Sequence, residues 1–243
     1  ETAVEALLLA NRPDGELPLK GLAVLVTAGP TQEPLDPVRF LTNHSTGKMG
    51  YALAEQARDL GAQVTLVSGP VALDAPYGVD VVDVTTARDM FDAVTNRFAD
   101  TDITVMAAAV GDFRPVEQAR DKIKKNGRSS IELELTSNPD ILAWAGEHKR
   151  PDQTLCGFAM ETRDLETNAA KKLASKHCDM LAANNLRTPG AGFAADTNVV
   201  TVLTPGETAD KPNIERWSKM GKDALAKRIL VKLAAMRADG ERR

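Results

Sequence analysis

GLAVLVTAGPTQEPLDPVRFLTNHSTGKMGYALAEQARDLGAQVTLVSG, residues 21–69, decides the architecture. It opens on an apolar, β-branched run ending in Gly29-Pro30, the pattern of a buried strand that stops at a turn. Residues 47–60 then place Met49, Ala52, Leu53, Ala57 and Leu60 on one helical face, and QVTLVSG returns to strand. Strand, helix and strand in this order form a parallel crossover unit. The connection between the first strand and its helix is unusual. It runs through residues 31–46, against ~2–6 residues in an ordinary α/β unit. Such length is a mark of function, and the stretch TQEPLDPVRFLTNHSTGKMG, residues 31–50, holds Arg39, Asn43, His44, Ser45, Thr46 and Lys48, a dense set of donors leading to a helix N-terminus.

The alternation continues outward. VDVVDV reads as a strand, 87–98 as a helix, 102–110 as a buried strand and SIELELT as another strand. Further on, 139–147 is a helix, TLCGFAM a strand, 163–176 a helix, DMLAAN and TNVVTVLT strands, and 216–237 a closing helix. The expected fold is α/β: a doubly wound, mostly parallel sheet (Rossmann-like) with helices on both faces. Its ligands belong beyond the carboxyl ends of the strands. Residues 2–10 read as a short apolar helix followed by a linker, so 1–20 are expected to belong to an upstream domain and 21–243 to the globular one.

Composition excludes several classes. Two cysteines and three histidines in no ligand spacing exclude a disulfide scaffold and a zinc centre, and point to a reducing, cytoplasmic setting. No apolar run approaches the ~18 residues of a membrane span. Net charge is −4, but residues 1–120 carry 9 basic and 17 acidic side chains while 121–243 carry 21 and 17. The basic excess of the second half would suit either an anionic ligand or a solvated surface.

Four features stand at strand ends. Thr27-Ala28-Gly29-Pro30-Thr31 lacks the G-x-G-x-x-G of a dinucleotide turn, and Gly47-Lys48-Met49 lacks the Ser/Thr of a phosphate-binding P-loop. Small residues 107–111 let a ligand approach the backbone before Asp112, which either caps a turn or accepts hydrogen bonds from a base, ribose or amine. Lys122, Lys124, Lys125 and Arg128 crowd one loop; overall acidity and the lack of interleaved aromatics favour a triphosphate over nucleic acid as its partner. On the helix at 163–176, Lys172 and Lys176 fall within the apolar stripe, either snorkelling past the core edge or aimed inward as a phosphate clamp.

TAGPTQEPLDPVRFLTNHSTGKMG, AAAVGDFRP, KIKK, NPDIL, GFAMET with the lysines after it, and AANN, in this order, resemble the phosphopantothenate–cysteine ligase (phosphopantothenoylcysteine synthetase) family. That family often forms the C-terminal half of a bifunctional bacterial coenzyme A protein. The stretches run from Thr27 to Asn185, and the sequence departs at Gly111, where the family usually has Ala. The resemblance implies ligation of 4′-phosphopantothenate to L-cysteine with CTP as co-substrate, through an acyl-cytidylate, with release of pyrophosphate and CMP. It implies Asn43 and Lys122 as catalytic residues. Ala108, Asp112, Lys122, Pro139, Asp140, Ile141, Leu142, Phe158, Lys172 and Lys176 would form the CTP site, with Arg39 and Asn43 on phosphopantothenate. Mg²⁺ would be held mainly by the triphosphate, and FMN is expected only in an upstream decarboxylase domain. A homodimer is implied, one subunit completing the site of the other. The missing glycine fingerprint counts against a Rossmann-like reductase, and a nucleotide-sensing domain without turnover would leave Asn43 and Lys122 without a purpose.

Overall fold

The computed structural model describes residues 17–127, 129–161, 163–185, 195–208 and 211–240, with side chains through 238. The helix read at 2–10 and Arg128 lie outside the described residues. The first half comprises β1 (Ala23–Ala28), β2 (Gln32–Pro34), β3 (Phe40–Thr42), α1 (Lys48–Asp59), β4 (Gln63–Ser68), β5 (Asp80–Asp83), α2 (Ala87–Phe98) and β6 (Ile103–Met106). There follow β7 (Phe113–Pro115), β8 (Leu135–Ser137), α3 (Ile141–His148), β9 (Thr154–Glu161), α4 (Leu165–Ser175), β10 (Met180–Asn185), β11 (Thr197–Thr208), β12 (Lys211–Gly221) and α5 (Lys222–Gly240).

Eight strands form one sheet in the order β12-β11-β10-β9-β6-β1-β4-β5. From β5 to β10 every pairing is parallel, while β10–β11 and β11–β12 are antiparallel. The chain winds outward from β1 one way through β4 and β5, then returns to the other side with β6. The strand order therefore reverses between β1 and β6, which opens a crevice at their carboxyl ends.

Alternation sorts the core onto two faces. Val24, Val26, Ala28, Met180 and Ala182 pack with α1 and α5, whereas Leu25, Val67, Leu181 and Ala183 pack with α2, α3 and α4. Helix α1 lies close to β1 because Gly50 lets it: a Cβ there would sit 2.5 Å from Ala28 Cβ and 2.9 Å from Thr27 O. Leu19, placed by the sequence in the linker, is fully buried in this core, and its N–H donates to Leu60 O at 3.0 Å.

Three segments differ from the sequence expectation. The long connection contains a hairpin, β2–β3, with Asp36 at its turn. SIELELT is largely not strand; only Leu135–Ser137 pairs, and with β7 rather than the main sheet. Residues 216–221 belong to β12, so the closing helix begins at Lys222. Trp217 and Met220 are three apart, a helical spacing, yet they share a face through a bulge: Trp217 opposes Val200 and Met220 opposes Asn198.

Candidate active site

The segment after β6, residues 107–112, is the floor of the crevice, and side chains from three directions hold it. Thr27 Oγ1 accepts from Ala108 N at 3.1 Å, and the buried Thr31 Oγ1 accepts from Gly111 N at 2.8 Å. Asn138 Nδ2 donates to Gly111 O at 2.8 Å, and Arg114 donates to both Asn138 Oδ1 and Ser137 O. From the hairpin side, Asn43 Nδ2 donates to Ala109 O and Val110 O. The hairpin is itself pinned where the buried Glu33 accepts from Ala87 N at 3.0 Å, at the start of α2.

This floor separates two cavities. One, of about 350 Å³, is lined by Asp112, Pro139, Asp140, Ile141, Leu142 and Lys176. The other, of about 390 Å³, is lined by Asn43, Ser45, the α1 start from Gly47 to Gly50, Asn184, Asn198 and Lys222. Ala108, Phe158 and Lys172 line both, so the cavities adjoin. Among the described residues of the second wall, Lys48, Lys172 and Lys222 are the charged ones and none is a carboxylate. Helix α1 adds the partial positive charge of its N-terminus and has no acidic residue in its first turn. Its cap, Gly47, has φ 78°, and a Cβ there would meet Val71 Cγ1 at 2.7 Å.

Lys172 and Lys176 do point inward. Lys172 Nζ donates to Phe158 O at 3.0 Å, and Lys176 Nζ pairs with Asp140 Oδ2 at 2.7 Å. Asp140 also caps α3 by accepting from Ala143 N at 2.9 Å. Burial pushes the Asp140 carboxyl up, but the Lys176 ammonium and the Ala143 N–H outweigh it and leave the group below its ordinary range.

Arg39 and Lys122 line neither cavity. Arg39 Nε and Nη2 bind Asp36 Oδ2 at 3.0 and 2.5 Å, and Nη2 also donates to Ile123 O at 2.8 Å. Asp36 Oδ2 accepts from Ile123 N at 3.1 Å, so this pair fastens the basic loop to the hairpin. The Arg39 guanidinium holds the Asp36 carboxyl far below the usual carboxylate range. Lys122 is exposed on that loop.

Sequence reasoning missed Lys222, Asn184 and Asn198 as cavity residues. AANN was quoted only as a match, and Lys222 was hidden inside the helix expected over 216–237. A lysine opening a helix was the available signal, but only with the β12 boundary in hand.

Among the described residues no helix is long and apolar enough to cross a membrane. Residues 19–236 match the DNA/pantothenate metabolism flavoprotein C-terminal domain. The chain is 51% identical over 187 residues to the coenzyme A biosynthesis bifunctional protein CoaBC of Bacillus subtilis, covering 76% of this chain and 46% of that protein. It is 45% identical over 184 residues to CoaBC of Escherichia coli K12, covering 75% and 45%. It therefore spans about half the length of these curated relatives. The crystal structure of the C-terminal domain of a CoaBC protein superposes with a TM-score of 0.76 at 38% identity, over 92% of this chain and 99% of that one. Fold, order of segments and identity agree: this chain belongs to the DNA/pantothenate metabolism flavoprotein C-terminal domain family, in the form found at the C-terminal end of CoaBC.

Proposed function

We propose that the domain is a phosphopantothenate–cysteine ligase of coenzyme A biosynthesis, using CTP and an acyl-cytidylate intermediate. The two adjoining cavities at the switch point carry this reading. One has the small residues, Asp112 and the capped α3 start that suit a nucleoside. The other has a wall of lysines and a helix N-terminus that suit a triphosphate. The α-phosphorus then lies over the shared floor at Ala108, Phe158 and Lys172.

In the first step a carboxylate oxygen of 4′-phosphopantothenate attacks the α-phosphorus of CTP. The bond from that phosphorus to the β-phosphate oxygen breaks, and pyrophosphate leaves with the electron pair. In the second step the neutral amine of L-cysteine attacks the acyl carbonyl. The carbon–oxygen bond to CMP breaks, CMP carries away that pair, and the nitrogen loses its extra proton to solvent. Charge spreads onto phosphoryl oxygens in the first step, so cations aimed there lower the barrier. Lys172 is one such cation, and Lys122 on its exposed loop is the second. Among the described residues no three His, Cys, Asp or Glu side chains converge on a metal position. That donor set fits Mg²⁺ bound chiefly through phosphate oxygens, with Asp112 as the carboxylate at hand, where the ion would add positive charge.

The same reading includes a homodimer, and the hairpin face supports it. Val38, Phe40, Phe113, Val116, Ile131 and Leu133 are exposed on or beside the two small ribbons, which Ala119 N joins by donating to Leu35 O at 3.0 Å. An apolar face of this kind suits a protein partner. Arg39 and Lys122 sit beside it and outside their own cavities, which supports the reading that they serve the second subunit's site. An upstream FMN-dependent decarboxylase domain, as in a bifunctional protein, completes the proposal. Pyrophosphate release with CTP, 4′-phosphopantothenate and L-cysteine, together with amide product, tests it; substrate-dependent release must be absent when CTP is omitted.

A further inference from the structure

Asp36 sits at the turn of the β2–β3 hairpin with its side chain fully enclosed, and its two oxygens have separate tasks. Oδ1 accepts from Val38 N and Arg39 N, both at 2.9 Å, and closes the turn. Oδ2 accepts from Arg39 Nε at 3.0 Å, from Arg39 Nη2 at 2.5 Å and from Ile123 N at 3.1 Å. The turn needs only Oδ1, and a neutral asparagine would serve it equally well. The charge and the second oxygen serve a clasp onto a segment 87 residues further along the chain.

That clasp holds Ile123 as a neighbouring strand would. The Ile123 N–H donates to Asp36 Oδ2, and its carbonyl oxygen accepts from Arg39 Nη2 at 2.8 Å, so one ion pair takes both backbone groups of one residue. Ala119 N, bonded to Leu35 O at 3.0 Å, ties the same loop to the same hairpin. Lys122 lies between the two ties. Ile123 is half-buried, whereas Lys122 and Lys124 on either side of it are exposed. A lysine ammonium rides on a long, flexible stem, so it meets a transition state at a set place only if the backbone beneath it is held.

We propose that Asp36 is a positioning residue of the ligation: through Oδ2 it holds the Ile123 backbone and so fixes where Lys122 presents its ammonium. The inference rests on the reading of Lys122 given above, and it adds that the hairpin and the basic loop act as one piece. The competing role for this enclosed carboxylate is to stabilise the hairpin alone, which would leave the action of Lys122 unchanged.

Asp36→Asn separates the two roles, because the carboxamide keeps an acceptor for the turn and sets its own N–H groups against the Ile123 N–H. In this variant kcat is expected to fall about tenfold or more, the size of a lost hydrogen bond to a charged group, with KM for CTP nearly unchanged. In the Lys122→Gln background the same substitution is expected to lower kcat by less than about threefold further, since a residue acting through Lys122 has nothing left to act on. A full additional loss there assigns Asp36 to the hairpin alone and overturns the proposal. So does a single Asp36→Asn variant with kcat within about threefold of wild type. Trypsin gives a readout without turnover: cleavage after Lys124 and Lys125 is expected to quicken about tenfold in Asp36→Asn, as the loop opens more often. Equal cleavage of the two proteins overturns the proposal. If Asp36→Asn melts well below wild type, Ile123→Pro serves instead, since it removes the N–H from the loop side and leaves the Asp36–Arg39 pair in place. The same fall in kcat is expected of it, and wild-type activity overturns the proposal. A wild type that makes no amide refutes the ligase reading, and the trypsin comparison still decides whether Asp36 holds the loop.

Discussion

The side-chain nitrogen of Asn43 lies 3.0 Å from the carbonyl oxygen of Ala109 and 3.2 Å from that of Val110. Both partners are acceptors, so only the amide nitrogen can face them, and the orientation of the carboxamide is fixed by chemistry. Its oxygen takes no part in these two contacts. Asn43→Asp would set a carboxylate against two carbonyl oxygens and release the floor of the crevice. Overall turnover is expected to fall roughly 10²-fold, in line with ~1–3 kcal/mol for unmade hydrogen bonds plus repulsion of the phosphodiester. A quenched reaction with radiolabelled CTP should show CMP formed without matching amide; full ligase activity would remove Asn43 from the site.

Thr31 makes its contribution from beneath the floor. Thr31→Val keeps the shape but deletes the acceptor of Gly111 N. A loss of ~1–3 kcal/mol in unfolding free energy is expected, because the N–H is left without its partner. Urea denaturation measures this, and an unchanged midpoint would show that the loop finds another acceptor.

Lys122→Gln separates charge from structure. The side chain is exposed, so thermal unfolding should be unchanged. If the ammonium acts on the transition state, kcat falls roughly 10²–10³-fold with little change in KM. Activity within about threefold of wild type would exclude it from the reaction.

Lys176→Met has a pH signature. Asp140 has a folded-state pKa below its ordinary value, so its pairing stabilises the fold above that ordinary value and is lost as pH falls through the folded one. The pair is partly exposed, so the variant should lose only ~0.2–1 kcal/mol near pH 7. The deficit should shrink as pH falls below ~4, where Asp140 protonates first in the variant and then in wild type. Equal stability at pH 7, combined with weaker CTP binding, would assign Lys176 wholly to the ligand. Lys172 and Lys176 are four residues apart and would repel each other on a bare helix, but Phe158 O and Asp140 take up their ammonium groups.

The central architecture was legible because β1, β4, β6, β9 and β10 are apolar runs separated by helices of ordinary periodicity. The inward lysines of α4 were legible too, since their angular position needs only the helical repeat. The edges were not. β12 was lost because its bulge spaces Trp217 and Met220 like a helix, and SIELELT misled because its alternating Ile131, Leu133 and Leu135 face outward rather than into the core. Arg39 resembled a ligand-binding cation; its pairing with Asp36 is local to the hairpin turn, but no local pattern reveals its bond to Ile123 O or the Asp36 bond to Ile123 N. Such pairings depend on tertiary approach, as does the meeting of two lysines at the starts of helices far apart in sequence.

The position of β1 has a consequence during synthesis. It is the sixth strand of eight in the finished sheet, and its partner on the β6 side lies 79 residues further along: Thr27 opposes Met106. At ~5–20 residues per second, a ribosome delivers β6 roughly 4–16 s after β1 emerges. Throughout that interval one edge of an almost entirely apolar strand is open to pairing with other nascent chains. The yield of folded protein should therefore depend on translation speed and holdase supply more than on the stability of the finished domain.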